Sequence, residues 1–224
     1  MTIDHGDAEV NPWNAIPLSD YEAHMALPAV AQAGLIADEL ARAVEVHQPA
    51  SVAVLGCAGG NGLDRLIGSS TRRVVAVDIN PSFVAAAEAR FRGLIEGLEV
   101  VVADVEHDSQ VFDPVGLLYA ALILEYVDLG RALGFMRRHS QAGGSLVVLL
   151  QLPSTKISEI TPSPYVSLRK LEPIMRLISP TDLRRLAAES GFQAIDSRVV
   201  TASGGKSFAV EEFRASHRER RSPA

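Results

Sequence analysis

Apolar residues along this chain gather in short unbroken runs separated by longer amphipathic stretches, and that alternation predicts strands and helices in turn. Residues 51–55 (S-V-A-V-L), 73–77, 99–103, 116–124 and 145–150 are apolar on both faces or nearly so, as strands sandwiched between helix layers must be. Residues 27–46 carry apolar positions at helical spacing after Pro28, and a shorter helix is expected over 20–25. Further helices are expected over 61–67, from the cap Asn80 and Pro81 to about 94, over 128–140, and from the capping sequence S-P-T-D at 179–182 to Gly191. Residues 192–200 and 206–213 read as strands joined by T-A-S-G-G, which is hairpin chemistry. Strand and helix alternating five times before a strand pair predicts an α/β fold: a Rossmann-like, doubly wound sheet of seven strands, mostly parallel with one antiparallel strand, helices on both faces.

One stretch breaks the alternation. Residues 151–178 hold Pro153, Pro162, Pro164 and Pro173 and follow the fifth strand, at the carboxyl edge where open α/β sheets bind ligands. They read as a substrate-side insertion or lid within a single domain spanning 1–224. The polar first dozen residues and the charged end, 216–224, are expected to be loosely held.

Composition narrows the function classes. A hydrophobic fraction of 47% with only 5% aromatics fits a core of Ala, Val, Leu and Ile. The formal charge is -6, and the basic tail at 217–221 (H-R-E-R-R) is the sole concentration of cations, which disfavours a nucleic-acid partner held through phosphates. A single cysteine, Cys57, offers neither a disulfide framework nor metal-ligand spacing. With no leader-like start and no membrane-length apolar run, a cytoplasmic protein with no membrane partner is expected.

The chemistry concentrates where the first strand ends. The loop G-C-A-G-G-N-G at 56–62 lets backbone approach a ligand closely and aim N–H groups at it. Its spacing is not that of a dinucleotide fingerprint: counted from Gly56 the third and sixth positions are Ala58 and Asn61, and counted from Gly60 the sixth is Arg65. A nicotinamide-dependent oxidoreductase is thereby disfavoured.

V-A-V-L-G-C-A-G-G at 52–60 resembles the first motif of class I S-adenosylmethionine-dependent methyltransferases, and Asp78 and Asp104 stand at the ends of the second and third strands as that family's acids do. The resemblance runs from about Tyr21 to Phe213. It implies S-adenosylmethionine as cofactor, with Asp78 at the ribose, Asp104-Val105 at the adenine and Ile79 among the cofactor contacts. It also implies cofactor contacts from Gly56, Cys57, Ala58, Gly59, Asn61, Leu122 and the early Tyr21. A carboxylate suits a cis-diol and an apolar wall suits a purine face. The pattern departs at one point: the family's acid two residues before the first glycine is replaced by Val54, which leaves the cofactor's ammonium without an assigned partner.

The expected activity is methyl transfer to a small organic acceptor by direct in-line displacement, with proximity and desolvation providing most of the acceleration. Glu125, Tyr126 and His24 are the candidates for acid-base work. No metal is expected, because the adjacent Glu106, His107 and Asp108 cannot converge on one ion from a regular element. The competing reading is a non-catalytic module that binds S-adenosylmethionine or S-adenosylhomocysteine for regulation. The sequence leaves the acceptor and the oligomeric state open.

Overall fold

A computed structural model of the chain describes residues 11–155, 158 and 160–217. Seven strands form one sheet in the order β3-β2-β1-β4-β5-β7-β6, with β1 Ser51–Leu55, β2 Arg73–Asp78, β3 Leu98–Val102, β4 Val115–Ala121, β5 Ser140–Gln151, β6 Phe192–Thr201 and β7 Ser207–Ala215. β7 runs antiparallel to both neighbours and every other pairing is parallel. The helices are α1 Leu18–Met25, α2 Ala33–His47, α3 Pro81–Phe91, α4 Leu129–His139 and α5 Pro180–Glu189.

The alternation of side chains along each strand divides the core in two. Val52 and Val54 of β1 pack under Leu40 and Val44 of α2 and Ala87 of α3, whereas Ala53 and Leu55 join Leu133 and Met136 of α4 and Leu183 of α5 on the opposite face. β1 is buried at all five positions, and the edge strand β6 is mostly exposed. Near the edge that begins β5, Ser145 Oγ lies 3.2 Å from His47 Nδ1, and His47 Nε2 lies 2.9 Å from Glu212 Oε2. Arg198 reaches Glu39 at 2.6 Å and the other Glu212 oxygen at 3.5 Å, so a buried polar chain ties α2 to β5, β6 and β7.

Local chemistry sets the helix starts. Asn80 accepts from the Ser82 N–H at 2.9 Å with Pro81 in the first turn, Asp128 accepts from the Arg131 N–H at 2.9 Å, and Ser179 accepts from the Thr181 N–H at 3.2 Å. Several boundaries differ from expectation, among them β5, which begins at Ser140 rather than at 145. The helix expected from 27 begins at Ala33, because Ala31 takes φ +46 and breaks the first turn. The helix expected at 61–67 is a short 3-10 turn, Leu63–Leu66, entered through Gly62 at φ +82. α3 stops at Phe91, since Arg92 is extended and Gly93 left-handed. β4 ends at Ala121, where Leu122 at φ +57 turns the chain.

Residues 11 and 12, expected to be loose, cap and open a 3-10 helix, Pro12–Ala15. Ser216, also expected to be loose, donates its N–H to the Gly191 carbonyl at 2.9 Å, while residues 1–10 and 218–224 of the expected loose termini, and positions 156, 157 and 159 of the expected lid, lie outside the described residues. No helix among the described residues is long and apolar enough to cross a membrane.

Candidate active site

β1, β2, β3 and β4 deliver their carboxyl ends to one cavity. Gly56, Ala58 and Asn61 line it from the glycine loop, Asp78 and Ile79 from the end of β2, Asp104 and Val105 from the end of β3, and Leu122 and Ile123 from the end of β4. The loop is shaped by left-handed residues: Gly56 at φ +69, Ala58 at +47, Gly60 at +98 and Gly62 at +82. At Gly60 only hydrogen fits, since an added Cβ would lie 2.3 Å from Phe91.

Asp78 is fixed before any ligand arrives. Its Oδ2 accepts the Ala58 N–H at 2.8 Å and its Oδ1 accepts the Asn80 N–H at 3.0 Å, so one carboxylate binds the glycine loop to the start of α3. Burial raises its pKa, and backbone N–H donors from Asn80, Ala58 and Ile79 oppose that rise. Each oxygen retains a lone pair for a hydroxyl.

Asp104 is half-buried and sits in a turn rather than a strand. Its Oδ1 accepts the Glu106 N–H at 2.8 Å and its Oδ2 lies 2.9 Å from His107 Nδ1. The same turn brings donor atoms of Asp104, Glu106 and His107 within 4.8 Å of one another, a grouping that takes Asp104 in place of Asp108 from the adjacent trio considered in the sequence. Each donor is already engaged internally, Glu106 by the Asp128 N–H at 2.7 Å and His107 by Arg131 at 3.2 Å.

The cavity has a roof built from two distant pieces of chain. Trp13, Tyr21, His24 and Met25 come from before α2, and Thr161, Leu168, Leu171 and Met175 come from the proline-rich segment after β5. Asn80 Nδ2 donates to the carbonyls of Trp13 (2.9 Å) and Ile16 (3.2 Å), Arg90 bonds both Glu22 and the Gly59 carbonyl, and Ser167 donates to Asp20 at 2.5 Å. Trp13 packs edge-on against Tyr126 at 5.1 Å and Tyr21 at 6.0 Å, and Tyr21 against Phe83 at 5.8 Å. Burial raises the pKa of both tyrosines, so their hydroxyls stay protonated and act as donors.

The expected acid-base residues separate. Tyr126 and His24 line the cavity, and His24 is held neutral because burial first and Lys206 second lower its pKa. Glu125 does not line it. It is 1% exposed, and its Oε1 accepts the Gln151 N–H at 2.8 Å, which pins the end of β4 to the end of β5. Two expected loop contacts also face elsewhere: Cys57 is buried in the core beneath α2, and Gly59 borders a neighbouring depression with Arg90.

Sequence reasoning missed Trp13 and Gln32, which also line the cavity. Trp13 is the chain's one tryptophan and follows directly on the dozen residues expected to be loosely held. Gln32 is the residue that precedes α2, at a position that the pattern assigned to the helix itself.

Residues 53–148 match the family model described as Methyltransferase domain. No curated protein matches the chain. Among solved structures, the 1,6-didemethyltoxoflavin N1-methyltransferase of Burkholderia thailandensis, crystallised with 1,6-didemethyltoxoflavin and S-adenosylhomocysteine, is similar at TM-score 0.65 and 15% identity, over 89% of this chain and 85% of that one. The magnesium protoporphyrin IX methyltransferase of Synechocystis PCC 6803, crystallised with S-adenosylhomocysteine, is similar at 0.63 and 11%, over 84% of each chain. The cyclase SpnF is similar at 0.61 and 16%, over 80% of each, so this fold also hosts other chemistry.

Proposed function

We propose that this chain, whose residues 53–148 match the model of a methyltransferase domain, is a class I S-adenosylmethionine-dependent methyltransferase that methylates a small, largely apolar organic acceptor by direct in-line displacement. The observation that carries the proposal is one cavity with two characters: a glycine loop and strand-end acids on one side, and an aromatic and aliphatic roof closed by side-chain latches on the other. The formal charge of -6 argues against a nucleic-acid acceptor. A single buried cysteine fits a reducing compartment, the cytoplasm.

The cradle suits the cofactor. Asp78 offers an acceptor on each oxygen to a ribose diol, Ile79 and Val105 form apolar walls for a purine, and Asp104 and Asn61 supply polar groups at the rim. Bound there, S-adenosylmethionine supplies a methyl group activated by its sulfonium. The protein's own work is to exclude water and orient the acceptor. Residues 160–178 act as the substrate-side lid, with Leu168, Leu171 and Met175 covering the acceptor half. The protonated Tyr126 hydroxyl, without an internal partner among the described residues, orients the acceptor as a donor.

The test is transfer of labelled methyl from S-adenosylmethionine to a panel of heteroaromatic and phenolic metabolites, with formation of S-adenosylhomocysteine followed in parallel. Acceptor-dependent product is expected, and Tyr126→Phe should raise the acceptor KM without changing S-adenosylhomocysteine affinity. If the cofactor binds and no acceptor draws label, the non-catalytic binding module replaces this reading.

A further inference from the structure

The family resemblance leaves one position open, the partner of the cofactor's amino-acid end in a chain with Val54 where the acid would stand. Val54 lines the cavity beside Tyr119, its partner in the β1–β4 register, and the Tyr119 hydroxyl is committed to the Ile36 carbonyl at 2.7 Å. This wall, completed by Ile36 and Ala121, contributes no charged side chain to the cavity. The lining acids lie elsewhere, Asp78 and Asp104 at the ends of β2 and β3 and Glu172 on the proline-rich segment.

Gln32 stands at the start of α2, one turn before Ile36. It is 7% exposed and lines the cavity, yet its side-chain amide has no hydrogen-bond partner among the described residues. Its amide atoms are not sealed in the core, so they are available to the polar groups of a ligand in the cavity. His24 lines the same cavity, and its Nδ1 is buried without a partner among the described residues. α2 also begins here with no side-chain cap, so its first N–H groups favour negative charge nearby.

We propose that Gln32, with His24, receives the zwitterionic amino-acid end of the cofactor, replacing the missing carboxylate with neutral hydrogen bonds. The chemistry matches on both halves. An amide carbonyl accepts from an ammonium, an amide NH2 donates to a carboxylate, and a neutral imidazole has one nitrogen for each task. This inference rests on the proposed cofactor cradle, and it assigns a part of it that the strand-end acids do not reach.

Calorimetry on the full chain separates the two claims with two probes. S-adenosylhomocysteine carries the amino-acid end, and 5′-methylthioadenosine keeps the adenosine and the thioether but lacks it. Gln32→Leu should weaken S-adenosylhomocysteine about tenfold or more, as loss of a hydrogen bond to a charged group does. It should leave 5′-methylthioadenosine unchanged, which also shows that the variant is folded. Equal weakening of both probes overturns the proposal, because Gln32 would then merely support the cavity. So does weakening of neither, or a change confined to the acceptor KM. If the unaltered protein binds neither probe, it is the cofactor cradle that fails.

Discussion

Asp78 and Glu125 are both buried acids, one the last residue of a sheet strand and the other just beyond one, and burial raises the pKa of each, yet they are built for opposite ends. Asp78 at β2 receives a backbone N–H on each oxygen and faces the cavity. Glu125 beyond β4 receives one N–H, from Gln151, and its Oε2 is buried with no partner. Burial therefore does not by itself mark a functional carboxylate. What matters is how many donors meet it and which way it faces: donors favour the ionised form, and a bare buried oxygen penalises it.

The largest effect expected from breaking this contrast is at Asp78. Asp78→Ala should weaken S-adenosylhomocysteine and 5′-methylthioadenosine alike by about 100-fold or more in calorimetry, because the diol loses a charged acceptor and the loop its anchor. An unchanged affinity would mean that the arrangement of N–H donors holds a structural acid. Gly60→Ala should destabilise the chain by about 3 kcal/mol in chemical denaturation, since the left-handed backbone and the contact with Phe91 add strain next to the Asp78 anchor.

Glu125 gives a pH signature with a sign opposite to that of a paired acid. Its pKa rises from 4.5 to about 7 on folding, so the folded state binds the proton more tightly than the unfolded one. The penalty for ionising it is absent below pH 4.5, grows through the interval and is complete above about pH 7, where it reaches at most about 3 kcal/mol. Denaturation from pH 4.5 to 8 should show this component of stability falling as pH rises, and Glu125→Gln should flatten it. A slope unchanged in the variant would assign the dependence to another group. The smallest effect is at Asn80, which caps α3 and holds the Trp13 and Ile16 carbonyls. Asn80→Ala should cost about 1–2 kcal/mol and speed proteolytic cleavage before α1. Intact resistance to protease would show that the aromatic contacts hold the roof alone.

Much of this was legible in residue order because its causes are local. Unbroken apolar runs identify β1 and β2 as buried between helices, Asn80-Pro81 starts α3 through its own side chain, and the glycine spacing rejects a dinucleotide loop. Boundaries set by single left-handed residues escaped, because neither Ala31 nor Leu122 is a residue type that announces φ above zero. The same limit hid Gln32, placed by the Ala31 turn at a cavity wall rather than on a helix surface.

The sequence by itself determined the order of strands and helices, the loop that enters the first crossover and the acids at two strand ends, all of which follow from side-chain periodicity and steric preference within a few residues. Only the tertiary structure decided which polar groups face the cavity. Glu125 turned into the core, Gln32 and Trp13 turned out of the pattern and into the site, and residues far apart in the chain closed the roof together. Those outcomes depend on which segments pack against each other, and packing across the fold is a property of no local stretch.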